Sequence, residues 1–224
     1  MVHNMINTVH CMDCLDFMKS MPDKCVDLVL TDPPYGIGED GLSNHSRGCL
    51  AATTKFSNKQ WDKTIPTKEY FDEMQRVSKE QIIFGGNYFI EYLRSTPCFL
   101  VWDKDNGKSD FADCELAWCS YKTAVRKFKY KWQGMLQENM KEKEKRFHPT
   151  QKPVALFTWI LNNYSTSGMT IFDPFAGSGT TAIACLETGR NYILVEKEPE
   201  YIKIINKRIE VWKEQGRLFP AHVV

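Results

Sequence analysis

The chain has 224 residues, enough for one good hydrophobic core with a small appendage, and its 42% hydrophobic and 25% charged residues are an ordinary globular balance. A net charge of +1 excludes attraction to nucleic acid or membrane through overall charge, so the placement of charge along the chain matters more than its sum. Eight cysteines scattered through apolar segments, no run near a membrane span in length, and first residues without a cationic, apolar, cleavable series lead us to expect a reduced cytoplasmic protein with no disulfide framework and no membrane partner.

Ile6 to His10 reads as a strand, followed by Cys11-Met12-Asp13-Cys14 and a short helix through Leu15, Phe17 and Met18 that stops at Pro22. Asp13 falls at the strand's end, where its plain reading is a helix cap. Cys11-x-x-Cys14 has ligand-like spacing, but no second pair or nearby histidine completes a zinc set, so no metal site is expected. Val26 to Leu30 is an apolar strand that runs straight into Asp32-Pro33-Pro34-Tyr35. Two successive prolines fix φ and remove donors, which leaves the carbonyls of Asp32 and Pro33 outside any ladder. A carboxylate, a rigid carbonyl and an aromatic face then converge. That set matches an exocyclic amine on a planar base, with two acceptors for its two N–H groups and Tyr35 for stacking; the bland alternative is a proline-stiffened turn with Tyr35 in the core.

Gly36 to Gln60 is a loop rich in Gly, Ser, Asn, Thr and Lys, a candidate lid over an extruded base, with disorder as the alternative. Thr67 caps a helix past Tyr70, Met74 and Val77, before the strand Gln81 to Phe84, the turn Gly85-Gly86-Asn87 and a second short helix carrying Tyr88, Phe89, Tyr92 and Leu93. Strands Cys98 to Trp102 and Glu115 to Cys119 flank Asp103-Lys104-Asp105-Asn106-Gly107, which reads as an exposed polar turn, with Asp103 and Lys104 near the base pocket as the alternative. Between Lys122 and Arg146 nine Lys and Arg stand against three Glu, a local +6 in a nearly neutral chain. Phe128, Tyr130 and Trp132 are interleaved with this charge, so Arg126, Lys127, Lys129, Lys131 and Trp132 are the candidate nucleic-acid contacts, through phosphate pairing and stacking. For Lys141 to Arg146 a solvated helical face is the rival reading.

His148-Pro149-Thr150-Gln151-Lys152-Pro153 leads into a helix with Phe157, Ile160, Leu161 and Tyr164 on one face. Met169 to Phe172 is a short buried strand that stops at Asp173-Pro174, passes Phe175-Ala176-Gly177-Ser178-Gly179 and opens a helix through Thr180, Thr181, Ala182, Ile183, Cys185 and Leu186, ended by Gly189. Strand, glycine turn and helix N-terminus set a carboxylate and several N–H groups at the carboxyl edge of a parallel sheet. The next strand, Tyr192 to Val195, ends in Glu196, about 20 residues past the glycines, where an acid can take both hydroxyls of a ribose. Together these residues suit a nucleoside-like ligand. The last helix, after Pro199, buries Ile202, Ile205, Ile209 and Trp212, and the tail from Gly216 is expected to fray.

Asp32 to Tyr35, Phe172 to Thr181 and His148 to Pro153 together resemble the amino-group DNA methyltransferases that use S-adenosylmethionine, and the catalytic motif precedes the cofactor motif as in that family's beta group. A dinucleotide dehydrogenase would need a third glycine that is missing here. The resemblance runs from about Val9 to about Ile209. It implies a circularly permuted, doubly wound, Rossmann-like α/β sheet of about seven strands, one antiparallel near an edge, with helices on both faces. It also implies a single catalytic domain over 1–224 with a small target-recognition insertion at about 121–147, S-adenosylmethionine as cofactor, double-stranded DNA as partner, and a setting in restriction–modification. Because the recognition region is short, a homodimer is a candidate assembly. The resemblance assigns Asp32, Pro33, Pro34 and Tyr35 to catalysis. To the cofactor it assigns Asp13 (with Met12 where the family carries glycine), Thr150, Lys152, Asp173, Phe175, Gly177, Ser178, Gly179, Thr180 and Glu196, with Thr150 to Lys152 bordering the methionine end. An aspartate opening the catalytic motif usually goes with adenine N6 and a serine with cytosine N4, so Asp32 implies N6-adenine. Cytosine N4, RNA, or a catalytically silent nucleic-acid-binding module are the alternatives, and an intact Asp32 to Tyr35 speaks against the last.

Overall fold

A computed structural model describes residues 2–38, 65–107, 112–133, 136–141, 143–148 and 150–218. In chain order its first elements are β1 (Thr8–Cys11), α1 (Cys14–Lys19), β2 (Val26–Thr31), α2 (Lys68–Val77), β3 (Ser78–Phe84), β4 (Phe99–Asp103) and β5 (Cys114–Cys119). There follow β6 (Arg126–Lys129), a two-stranded ribbon β7 (Trp132–Gln133) and β8 (Leu136–Gln137), α3 (Val154–Tyr164), β9 (Thr170–Asp173), α4 (Thr180–Thr188), β10 (Asn191–Glu196) and α5 (Pro199–Leu218).

The central strands are apolar along their length because a parallel strand covered on both faces has no wet side. Their residues alternate between two cores. Leu28, Leu30, Ile82, Phe84 and Leu194 pack with Phe157, Ile160, Ala182 and Ile205, so α3, α4 and α5 cover one face. Val29, Ile83, Phe172, Ile193 and Val195 pack with Phe17, Met18, Phe71 and Met74, so α1 and α2 cover the other.

Strand order is β1-β10-β9-β2-β3-β5-β4-β6. The strands from β1 to β3 are mutually parallel, and β5 runs antiparallel to both β3 and β4. This is the doubly wound, Rossmann-like sheet expected, with eight strands: Arg126–Lys129, from the basic segment, adds itself parallel to β4 at the edge. The chain leaves β2 toward β3 on one side and leaves β9 toward β10 on the other, so the switch point lies between β2 and β9, where such sheets bind ligands beyond the strands' carboxyl ends.

Several local expectations change. Tyr88 to Leu93 is a run of turns, with Tyr88 N–H bonded to the Gly85 carbonyl and Tyr92 N–H to that of Phe89; Phe89 is its one fully buried side chain, too little to hold a helix. Lys141 and residues 143–146 are not helical, and α5 continues through Gly216 to Leu218. Most of the proposed lid, 39–60, lies outside the described residues. The seven described cysteines are free thiols, and no described helix is long and apolar enough to cross a membrane.

Candidate active site

Both motifs leave the switch point side by side. Thr31, the last residue of β2, donates its hydroxyl to Asp173 Oδ1 at 2.7 Å, the Phe175 N–H donates to the same oxygen at 3.1 Å, and the Thr181 hydroxyl donates to Oδ2. Burial pushes the Asp173 carboxyl up to about 6, against the pull of these donors. The sequence reading made Asp173 a cofactor ligand. Its carboxylate pins β2, β9 and the start of α4 together, and the residue also lines the cavity between the two motifs. Glu196 is similarly engaged: Oε2 accepts the Gly177 N–H at 2.8 Å and Oε1 the Glu198 N–H at 2.9 Å, while burial raises its carboxyl. Gly179 is the N-cap of α4 in the left-handed region, φ +80°, and a Cβ there would stand 2.9 Å from Ile205 Cγ1. It shapes the turn and does not line the cavity below it.

A cavity of about 310 Å³ joins the two motifs, a size suited to a small ligand. One end is walled by Asp13, Tyr70, Phe175 and Glu196, and the other by Asp32, Pro34 and Lys152. Gly177, Ser178, Thr180, His148 and Thr150 also line it, while Pro33 is buried. Asp13 caps α1 through the Leu15 N–H at 2.8 Å and lies at the cavity wall with the Tyr70 hydroxyl 3.2 Å away. Tyr70 and Phe175, with ring centroids 6.1 Å apart, supply flat apolar surface beside the two acids. Carboxylates for hydroxyl or amino groups next to aromatic surface fit an adenosine-like group, so the donor set is compatible with S-adenosylmethionine. Sequence reasoning missed Tyr70 and Tyr201 at this wall, because each lies in an amphipathic helix where an aromatic reads as core.

At the other end Tyr35 donates to Asp32 Oδ1 at 2.5 Å. Its ring stacks on Tyr88, with centroids 4.9 Å and planes 15° apart, and rests over Gly85, where a Cβ would come 2.2 Å from Tyr35 Cε1. Lys152, expected at the methionine end of the cofactor, lines the cavity and sets its ammonium 2.5 Å from Asp32 Oδ2 and 3.0 Å from Glu115 Oε2. Lys104, read as exposed, pairs with Glu115 Oε1 at 2.5 Å and is mostly buried. Burial raises the Asp32 carboxyl, opposed by Lys152; Glu115 is as buried, but Lys152 and Lys104 together hold it down to about 2. Burial works against the charge on Lys152, and the two carboxylates outweigh it and raise the ammonium's pKa.

The proposed nucleic-acid contacts divide. Arg126, Lys127 and Lys129 are exposed on β6, but Lys127 pairs with Asp103 at 3.2 Å, and Lys129 and Lys131 pair with Asp105 at 3.0 and 3.2 Å. Trp132 is the correction: it is buried, and its indole N–H donates to the Gln151 carbonyl at 3.1 Å, so it offers no face to a base.

The family model for N6/N4-type DNA methylases matches residues 94–207, just over half of the chain. The chain belongs to the amino-group, S-adenosylmethionine-dependent DNA methylase family. The Type II methyltransferase M.HinfI of Haemophilus influenzae is 27% identical to this methylase across 93% of the present chain and 69% of its own. Among solved structures, the complex of M1.HpyAVI with S-adenosylmethionine has a TM-score of 0.55 at 24% identity, covering 90% of this chain and 98% of that one. The cytosine-N4-specific PvuII DNA methyltransferase has a TM-score of 0.59 at 15% identity, covering 90% and 85%. At these identities the structural likenesses establish the fold, and the family match establishes the chemistry class.

Proposed function

We propose that this methylase transfers the methyl group of S-adenosylmethionine to N6 of an adenine extruded from double-stranded DNA, with target recognition carried by the segment 121–147. The observation that supports the reading is one cavity lined by Asp13 and Glu196 as well as by Asp32, a space in which a cofactor and a target amine could meet. Bound S-adenosylmethionine would supply an electrophilic methyl on a sulfonium, held at one end by Asp13, Phe175, Gly177 and Glu196.

The exocyclic nitrogen is a poor nucleophile because its lone pair is delocalised into the ring. Asp32 carboxylate and the Pro33 carbonyl, accepting its two hydrogens, favour a pyramidal nitrogen and stabilise the positive charge that grows as the methyl arrives. The amine is out of reach inside a duplex, so the base must leave the stack; Tyr35, whose ring is stacked on Tyr88 and packed on Gly85 in this state, would serve as its platform by giving up the Tyr88 contact. The Lys152 ammonium favours the ionised Asp32 that this role requires. Adenine is favoured over cytosine by the aspartate at the head of the motif.

Nucleoside mass spectrometry of unmethylated duplex DNA incubated with the protein and S-adenosylmethionine tests the reading, with RNA in parallel and Asp32→Ala as control. The expected product is N6-methyladenine from DNA alone, absent with Asp32→Ala. N4-methylcytosine as the main product would overturn the base assignment and leave the methyl chemistry standing; no product would overturn both.

A further inference from the structure

Four charges meet beside the cavity and are largely withdrawn from water: Asp32, Lys152, Glu115 and Lys104. They come from four separate stretches of chain, and Lys152, 6% exposed, is the common partner of both acids. In this state each oxygen of Asp32 already accepts a donor. Lys152 Nζ stands 2.5 Å from Oδ2 and the Tyr35 hydroxyl 2.5 Å from Oδ1. An amine that gives a hydrogen to Asp32 competes with these donors for its lone pairs, and an approach at Oδ2 draws the carboxylate away from Lys152. Releasing Lys152 into a buried site with no partner would leave an uncompensated charge, which is strongly unfavourable. Glu115 removes that obstacle, because its Oε2 already lies 3.0 Å from the same ammonium. Lys104, at 2.5 Å from the other oxygen of Glu115, keeps that side chain anionic and in place.

We propose that Glu115 is a positioning residue for methyl transfer: it holds Lys152 while Asp32 Oδ2 passes from the ammonium to the amine of the target base. Glu115 touches neither base nor cofactor in this scheme and acts through Lys152. The inference rests on Asp32 being the amine acceptor.

Steady-state kinetics on duplex DNA separate this role from a structural one. Glu115→Gln leaves Lys152 with Asp32 as its only anionic partner, so kcat should fall by roughly a hundredfold while KM for DNA and the affinity for S-adenosylmethionine by calorimetry stay within about threefold. Adding Lys152→Met removes the competitor, so the double variant should be faster than Glu115→Gln alone by roughly tenfold, though slower than the wild type. Glu115→Asp keeps the charge but shortens the reach by one methylene, and should show the same split with about a tenfold loss; it carries the test if the glutamine variant does not fold. An unchanged kcat in a folded variant, a double variant no faster than the single, or a joint loss of cofactor affinity and thermal stability would overturn the proposal. A wild type that transfers no methyl would instead defeat the function itself.

Discussion

Asp173 carries its charge where the fold tolerates it least, and the consequence is a measurable pH dependence. Its carboxyl stands at about 6 in the folded protein, raised by burial, against an ordinary 3.8. Below pH 4 the folded and unfolded forms are both protonated; between about 4 and 6 the folded form binds the more protons, so stability falls as pH rises through that window, and above it the whole cost of roughly 3 kcal/mol is carried. Asp173→Asn keeps an acceptor for Thr31 and the Phe175 N–H while removing the titration. In urea unfolding at fixed pH values, the variant should gain on the wild type steadily from pH 4 to 6 and then hold its lead; a difference flat across the range would mean that Asp173 does not titrate there. The sequence marks Asp173 as important by its place at a strand's end, but not for what, because Thr31 lies 142 positions away. The same holds for Lys152 and Asp32, separated by 120 positions: each motif is legible alone, and their contact belongs to the fold.

The edge strand β6 shows what a local charge count leaves out. Counted along the chain, Lys122 to Arg146 is strongly basic, but the pairing of β4 with β6 sets Asp103 opposite Lys129 and brings both Asp103 and Asp105 to the lysines. These pairs are largely exposed, and exposed pairs are weak enough for a phosphate to replace the carboxylate. Changing Lys127, Lys129 and Lys131 together to Gln should therefore weaken DNA binding and flatten its salt dependence by up to about three phosphate contacts, each near 0.9 in log–log slope. Asp105→Asn should do the reverse and tighten binding at every salt concentration. Binding across a salt series checks both, and slopes that stay put would remove β6 from the DNA interface. The sequence did carry a signal for this strand. From Lys127 to Trp132 basic and aromatic residues alternate with a period of two, the pattern of a half-buried strand, with Phe128, Tyr130 and Trp132 turned to the core and the lysines to solvent. Reading the aromatics as stacking groups set that periodicity aside.

Across the whole molecule, sequence order and spatial order diverge, and the active site depends on the divergence. The early catalytic motif and the late cofactor motif become neighbours only because β2 and β9 pair at the centre of the sheet, with Leu28 beside Ile171 and Val29 beside Phe172. Strand and helix alternation makes the doubly wound class legible, and the order of the motifs makes its permutation legible. Both cores then draw on both ends of the chain: Leu28 and Leu30 pack with Leu156 and Ile205 on one face, and Phe17 and Met18 with Ile193 and Val195 on the other. Neither half can keep its core without the other, so the chain should unfold in one transition. A ligand seated across the join should then stabilise all of it. S-adenosylmethionine at a hundred times its dissociation constant contributes about 2.7 kcal/mol, which for a chain of this size raises Tm by roughly 5 to 10 °C. Scanning calorimetry with and without the cofactor should show a single peak that moves as a whole. Two peaks, with only the later one responding, would mean that the halves fold separately and that the central strand pair does not couple the site to the rest of the sheet.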